Sequence, residues 1–546
     1  MSSESVASAT TADRDTARLE SLGYRQELSR VLGFFDNFSV AFTYLSPVVG
    51  IYSLFALGLG TGGPAYIWLM PIVVIGMLFV SLVFGELGSH YPVAGALYQY
   101  SKFTVGPAYG WWVGWFYGVA LLVTVASVDT GVVSYVTTLF HNWFGTNWDP
   151  TSHSTIFLIT LILLAIQTSA NIVGARVMGR IARYGTFVET FGTFGIAIIL
   201  AIAGFHHGFS YLFKTENVQH AGSNPFGVDF SGHWLLGAAL VAILAHVYIF
   251  YGFESAGDIA EETKDAGRSV PRAMRSAIVY GGISSFVLVL ALILAIPSGA
   301  KGFSSAVAGG PSYILGVNLT PWIQDVLLCV VIYAFFSCGS SVQGAGARLA
   351  FSYARDGAVP GSKTLSKVSP RFHTPVYALA LGFIVPLLAS LLVNVNPAHS
   401  HKFLFVTYPA NVNALFALVS FGVSGIYLSF LMTVIGAAIA RRRGWTPSGS
   451  FTLGRWGWPV TITAGVYLAV ILVDVVYPSG ISSGRALLNY DWITFVVMVG
   501  IAVVGAIVYA IARPEKNVAT HVIDTRGAVP AQRSIDLTDK PLKHRA

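Results

Sequence analysis

The segment Phe250-Tyr251-Gly252-Phe253-Glu254-Ser255 sets a glycine and a carboxylate in the middle of an apolar run covering 235–257. Upstream, Ser46-Pro47-Val48-Val49-Gly50 interrupts a second run, 34–57. A membrane-crossing helix needs about 20 mostly apolar residues, and both runs are that long. Pro47 has no N–H to give to a helix and Gly50 lowers helix propensity, so the first run is expected to break near its centre. Gly252 weakens the second in the same way. One such break reads as readily as a kinked packing helix. Two, at corresponding places in two halves of a chain, point to an inverted-repeat transporter with its site between them.

The rest of the chain supplies the bundle that such breaks require. Of 546 residues, 54% are apolar and 10% charged, against about a quarter charged in soluble domains. An ordinary soluble enzyme and a disordered chain are excluded, and two cysteines are too few for a disulfide framework. The class is an all-α polytopic membrane protein with twelve candidate spans: roughly 34–57, 65–87, 111–139, 155–173, 187–204, 235–257, 276–297, 322–347, 376–395, 412–440, 458–477 and 491–512. Residues 1–33 are polar and read as a disordered tail without the apolar core of a cleavable signal; 513–546 form a second polar tail.

Twelve spans put both termini on one side. Of the 32 lysines and arginines, all but Lys214, Lys301, Lys402 and Arg485 fall on that side, which the positive-inside rule makes cytoplasmic. The formal charge of +7 therefore marks orientation in a lipid bilayer and implies no nucleic-acid partner. The opposite side carries His141, His153, His206, His207, His220 and His233. No third ligand has a persuasive spacing from His206-His207, so no metal site is assigned.

The breaks also have a polarity. The first span runs outward and the sixth inward, so each starts a half-helix at mid-membrane with its positive dipole end there, which favours a carboxylate. The facing C-terminal ends favour an ammonium. Both together suit a zwitterion such as an amino acid. Candidate substrate-binding positions are Ser46, Pro47, Val49, Gly50, Ile51, Phe250, Tyr251, Gly252, Phe253 and Glu254. Glu254 has three readings: a protonated acid, a partner for a substrate amine, or a cap on the inner half-helix. Phe250, Tyr251 and Phe253 offer aromatic walls to an amine and serve equally as packing.

Beyond the break, Tyr251-Gly252-Phe253-Glu254-Ser255-Ala256, Ala260-Glu261-Glu262-Thr263-Lys264 and Arg268-Ser269-Val270-Pro271-Arg272-Ala273 resemble the sixth-span signature of the amino acid–polyamine–organocation superfamily. Gly85-Glu86-Leu87-Gly88, Tyr91-Pro92, Gly95-Ala96-Leu97-Tyr98 and Tyr100 look like its second-to-third-span motif. Arg348, Arg355-Asp356-Gly357-Ala358-Val359-Pro360, Pro370-Arg371 and Thr374-Pro375 are similar to the segment after its eighth span. The likeness covers about residues 30–512. It implies a five-plus-five inverted repeat, with repeat one at about 34–204, repeat two at about 235–440 and two extra helices at about 458–512. It also implies uptake of amino acids or related amines across the plasma membrane by alternating access, with H⁺ or Na⁺ coupling and no cofactor. Many members carry a small Gly-x-Gly run at the first break. Here Ser46-Pro47-Val48-Val49-Gly50-Ile51 resembles the amino acid and choline transporter branch more closely, which adds polyamines, choline and γ-aminobutyrate as alternative substrates. Exchange, and a non-transporting sensor of the same fold, stay open.

Ionisable groups at membrane depth are functional candidates by default. Asp129, Glu189 and His246 in spans three, five and six are coupling candidates, with Ser337, Ser340 and Ser341 in span eight as oxygen donors to Na⁺. Glu189 reads as lying near the cytoplasmic end of its span, and the lysine that some proton-coupled relatives carry in span five is absent. The plain alternatives are serines bonded to their own helix and a hydrogen-bonded packing histidine. Glu261, Glu262, Arg268, Arg272, Arg348 and Arg355 are candidates for a cytoplasmic gate, or for a solvated orientation-setting cluster. Gly110, Gly114 and Gly118 make a face for close helix packing. The chain has no nucleophile–base constellation and no phosphate-cradling loop, so an enzyme is not expected.

Overall fold

A computed structural model of the chain describes residues 11–220, 230, 232–392, 401–403, 406–408, 414–477 and 492–517. Among these, ten helical stretches are long and apolar enough to cross a membrane. The sixth and ninth expected spans take the form of shorter apolar segments, Trp234–Val247 and Val376–Leu391. The helices are α1 (Thr11–Ser21), α2 (Phe34–Leu45), α3 (Pro47–Gly62), α4 (Leu69–His90), α5 (Ala96–Thr104), α6 (Pro107–Gly131), α7 (Val133–Phe144), α8 (His153–Val173) and α9 (Ala175–Ala203). They continue with α10 (Ala239–Ala242), α11 (Leu244–Val247), α12 (Ser255–Asp258), α13 (Ala266–Leu294), α14 (Ala300–Asn318), α15 (Pro321–Arg355), α16 (Ser362–Leu365), α17 (Val376–Leu392), α18 (Ala414–Arg442), α19 (Gly457–Val476) and α20 (Ile493–Ala512). A short antiparallel hairpin, His401–Phe403 against Val406–Tyr408, stands between α17 and α18.

The broken helices sit inside a cage. α13 packs on α2, α4 and α9, while α15 packs on α2, α6, α9 and α17, and α18 lies along α6 and α19. Outward-facing Ile198, Ile202, Val470, Val473, Val503 and Ile511 are exposed, as befits a surface that meets hydrocarbon chains rather than water. The glycine face of α6 does what its spacing implies. A Cβ on Gly110 would stand 2.7 Å from the Lys102 backbone nitrogen, and one on Gly114 would collide with the Tyr353 ring.

Four elements depart from the sequence reading. Helices α5 and α14 occupy stretches expected to be connections, and the hairpin occupies another. The fourth is the N-terminal stretch: the disorder expected over 1–33 does not hold from Thr11 onward, and residues 1–10 lie outside the described residues. Helix α1 and the residue that follows it lay Leu19 and Leu22 into the core at 1% and 4% exposure. Arg18 Nη2 donates to the His90 carbonyl at 2.6 Å. The amides of Val31 and Leu32 donate to the Glu262 carbonyl at 3.0 and 2.9 Å, and Lys264 N returns a bond to Leu32 O at 2.9 Å. The polar composition concealed four buried leucines, Leu19, Leu22, Leu28 and Leu32. The C-terminal tail is described only as far as Asn517.

Truncating Leu19 and Leu22 together to alanine should remove about 2–5 kcal/mol of packing per site and release 11–33 from the bundle. Limited proteolysis of membranes would show new cleavage in this stretch; unaltered protection would contradict the docking.

Candidate functional site

The first break is a single residue wide. Ser46 stands between α2 and α3 at φ 41°, a left-handed conformation uncommon for a residue with a Cβ. Pro47 opens α3, where its missing N–H costs nothing because a helix start leaves that donor unpaired anyway. Ser46 Oγ accepts from the Val49 amide at 3.2 Å and donates to Glu189 Oε2 at 2.7 Å. The Val48 backbone amide also interacts with this carboxylate. The start of α3 is therefore held by a carboxyl group of the chain itself. The sequence reading set Glu189 near the end of its span because it began that span at 187. Helix α9 begins at Ala175, which places Glu189 about 21 Å along it, at the depth of the break.

The second break is longer. Helix α11 ends at Val247 and α12 begins at Ser255, with Gly252 between them at φ 102°. A Cβ on Gly252 would stand 2.7 Å from the Tyr44 ring and 2.8 Å from the Leu45 nitrogen. Reciprocally, a Cβ on Gly50 would collide with the Ile249 side chain. Glycine is thus required at Gly252 twice, by its φ and by the approach of the other break. The two interruptions touch, and each glycine seats the other segment.

Beside this contact is a small cavity lined by Tyr44, Leu45, Val49, Gly50, Thr124, Val128, Tyr248, Tyr251 and Cys338. The Tyr251 ring stands edge-on to Tyr44 and to Tyr248, with centroids 5.9 and 5.7 Å apart. The Tyr44 hydroxyl is buried without a hydrogen-bond partner. Three expected site residues, Val49, Gly50 and Tyr251, line the cavity. Ser46 and Pro47 form the break behind it, and Ile51 and Phe250 are buried. Phe253 packs on Phe84 and Phe430, with centroids 5.9 and 5.7 Å away. Glu254 turns back: Oε2 accepts from the Gly252 amide at 2.8 Å and Oε1 from the Tyr117 hydroxyl at 3.1 Å. Like Glu189 at the first break, it occupies a backbone donor freed by the second. Thr124 and Val128 share one face of α6 four residues apart, and Tyr44 and Tyr248 adjoin the breaks. That adjacency was the readable signal for them; Cys338 had none.

The remaining coupling candidates are scattered. Asp129 Oδ1 accepts from Gln167 Nε2 at 2.9 Å. His246 Nε2 meets the Tyr66 carbonyl at 3.0 Å and its ring stacks on Tyr66 at 5.0 Å, the arrangement of a packing histidine. Ser341 Oγ meets Thr43 Oγ1 at 2.9 Å. The Ser340 carbonyl accepts from Asn171 at 3.0 Å, and Ser337 Oγ is buried with no partner. On the far side, His206 Nε2 meets Asn318 Oδ1 at 2.8 Å.

On the side of α1, acidic and basic groups pair. Arg348 donates from Nε and Nη2 to Glu262 at 2.8 and 3.0 Å, and both side chains are fully buried. Arg355 holds Glu261 at 2.7 and 3.1 Å. Two of the six expected gate residues stand apart: Arg268 lies 3.9 Å from Asp265 in an exposed pair, and Arg272 covers the Phe34 ring at 4.4 Å. A third buried pair, Lys102 with Asp356 at 2.7 Å, was not foreseen. Tyr98 and Tyr24 also donate to Asp356, at 2.6 and 2.9 Å. Burial works against the Asp356 carboxylate, yet the charge and hydrogen bond of Lys102, with the Tyr98 hydroxyl, hold its pKa below the ordinary value.

Residues 32–504 match the model of a family described as amino acid permease. The chain is 26% identical to the amino-acid permease BAT1 of Arabidopsis thaliana over 88% of its own length and 91% of the relative's. It is 25% identical to the amino-acid permease BAT1 homolog of Oryza sativa over 88% and 90% of the two chains. It is 24% identical to the GABA-specific permease of Saccharomyces cerevisiae over 85% and 79%.

Removing one partner of a fully buried ion pair leaves an uncompensated charge and costs about 3–5 kcal/mol. Arg348→Met or Glu262→Met alone should therefore lower the melting temperature of detergent-solubilised protein sharply, and the double substitution should recover most of the loss. Equal melting of all four proteins would contradict the pairing.

Proposed function

The chain belongs to the amino acid permease family and transports amino acids, and from that premise we propose that it does so by alternating access around the two touching breaks. In this reading twelve spans cross the plasma membrane as two inverted sets of five, about 34–204 and 235–440, followed by two extra helices at about 458–512. Both terminal segments, 1–33 and 513–546, face the cytoplasm, as the distribution of arginine and lysine indicates. The observation that carries the proposal is the direct contact of Gly252 with Tyr44 and Leu45 beside a cavity walled by three tyrosines. Discontinuous helices supply such a site with backbone donors and acceptors that no other membrane-spanning structure leaves open.

The substrate's ammonium rests against the rings of Tyr44, Tyr248 and Tyr251, whose faces attract a cation. The substrate's carboxylate competes with Glu189 and Glu254 for the half-helix starts that these acids hold. Amines and ω-amino acids, whose two charges are far apart, suit this arrangement, and the yeast relative named for γ-aminobutyrate is in keeping with it. The ion pairs Arg348–Glu262, Arg355–Glu261 and Lys102–Asp356 act as the cytoplasmic gate, which opens when they part. Glu189, which meets Ser46 at the first break, is one candidate for coupling to H⁺ or Na⁺. Asp129, His246, Ser337, Ser340 and Ser341 are the further coupling candidates.

Purified protein in liposomes, offered labelled amino acids, γ-aminobutyrate, choline and putrescine under imposed pH or sodium gradients, would identify substrate and driving ion together. Gly252→Leu should abolish that uptake while the protein still reaches the membrane; undiminished uptake by this variant would overturn the placement of the site.

A further inference from the structure

Helix α12 carries a second acid one turn beyond Glu254. Asp258 is fully buried, as are Glu254 and Tyr117. The Tyr117 hydroxyl stands 2.8 Å from Asp258 Oδ2 and 3.1 Å from Glu254 Oε1. A phenol has one proton to donate and lone pairs with which to accept. Two full-strength hydrogen bonds need Tyr117 to donate to one carboxyl and accept from the other, the arrangement in which one of the two acids carries a proton.

Charge leads to the same count. The groups facing Asp258 are Glu254, Tyr117 of α6, Tyr100 of α5, Tyr44 of α2 and Arg348 of α15. Arg348 is the one cation among them, and it is committed to Glu262 through Nε and Nη2 and to the Gly344 carbonyl through Nη1 at 3.2 Å. Two carboxylates without a counter-charge of their own, in a site closed to water, are held far more cheaply when one is neutral.

Partners say which acid is neutral. Glu254 accepts a backbone bond from Gly252 at 2.8 Å as well as the phenol, the setting that stabilises an ionised carboxylate. Asp258 Oδ1 has no partner, which is tolerable for the carbonyl oxygen of an acid and costly for a carboxylate.

We propose that Glu254, Tyr117 and Asp258 form a proton-binding site, with the proton resident on Asp258, and that this proton is the ion carried by the transport cycle. The inference rests on the permease reading and deepens it. Asp258 Oδ2–H donates to the Tyr117 oxygen while Tyr117 O–H donates to Glu254. When the cavity side opens, water there protonates Glu254, and when the Glu262 side opens, Asp258 releases its proton to water, which leaves Glu254 neutral and Asp258 ionised. Tyr117 then resets the pair: Glu254 Oε1–H gives its proton to the Tyr117 oxygen while the Tyr117 O–H proton passes to Asp258, so one proton has moved from the cavity side to the Glu262 side. Asp258 lies four residues before Glu262, so its discharge is tied to parting of the Arg348–Glu262 pair.

The test uses the full-length protein in liposomes with the membrane potential clamped at zero and whichever labelled member of the substrate panel it takes up. One proton per substrate under a gradient of one pH unit sets a ceiling of about tenfold accumulation. Asp258→Asn, which keeps the shape of the neutral acid, should still exchange internal for external substrate but accumulate none. Accumulation by Asp258→Asn matching that of the unaltered protein would overturn the assignment. Absence of exchange by the unaltered protein would instead count against the permease reading itself. If Asp258→Asn exchanges nothing, the pH dependence of substrate affinity in Asp258→Glu decides: a midpoint shifted from that of the unaltered protein supports the site, and an unshifted one overturns it.

Discussion

The contact of Gly252 with Tyr44 and Leu45 is the constraint on which the rest of the structure depends. A side chain at Gly252 has no place to go, since a Cβ would meet the Tyr44 ring at 2.7 Å and the Leu45 nitrogen at 2.8 Å. The closeness of the two chains in turn demands that both helices be interrupted there. A continuous helix keeps its backbone wrapped in side chains, and neighbouring axes stay about 8–10 Å apart. Interrupting both lets backbone meet ring and opens donors and acceptors to whatever enters the adjoining cavity.

Interruptions at membrane depth carry a cost, because unpaired backbone groups have no water to turn to. The chain meets the cost in the same way at both places. At the first break Ser46 and Glu189 take up the start of α3, and at the second Glu254 takes the Gly252 amide. Burying an acid is itself unfavourable unless it is hydrogen-bonded or neutral. In the proposed cycle structural satisfaction and ion chemistry therefore fall on the same residues. The acids that stabilise the breaks are also the groups best placed to exchange a proton or respond to an arriving amine.

Much of this was legible in the chain. Ser46-Pro47 and Gly252 announced the breaks through rules of backbone geometry that tertiary packing rarely overrides, and the paired acids and arginines from Glu261 to Arg355 announced a charged cluster. Contacts between distant segments were not legible. Asp258 sits one helical turn from Glu254, yet only the approach of Tyr117 from α6 makes it part of a site. Lys102 and Asp356 are ordinary charges in sequence and become a buried pair through the packing of α5 on the end of α15. Glu189 was displaced because a polar helix start, 175–186, hid the true length of α9. The N-terminal stretch was read as tail because its four buried leucines are diluted among charges.

Cys338 gives the most direct access to the central claim, that substrate occupies the cavity between the breaks. It lines that cavity and is buried, and the second cysteine, Cys329, is exposed and replaceable by serine. In a Cys329→Ser protein, the rate of Cys338 alkylation by a small membrane-permeant reagent should fall severalfold when transported substrate is added at saturating concentration, and should not change with an amino acid that is not transported. Equal rates with and without transported substrate would contradict the account.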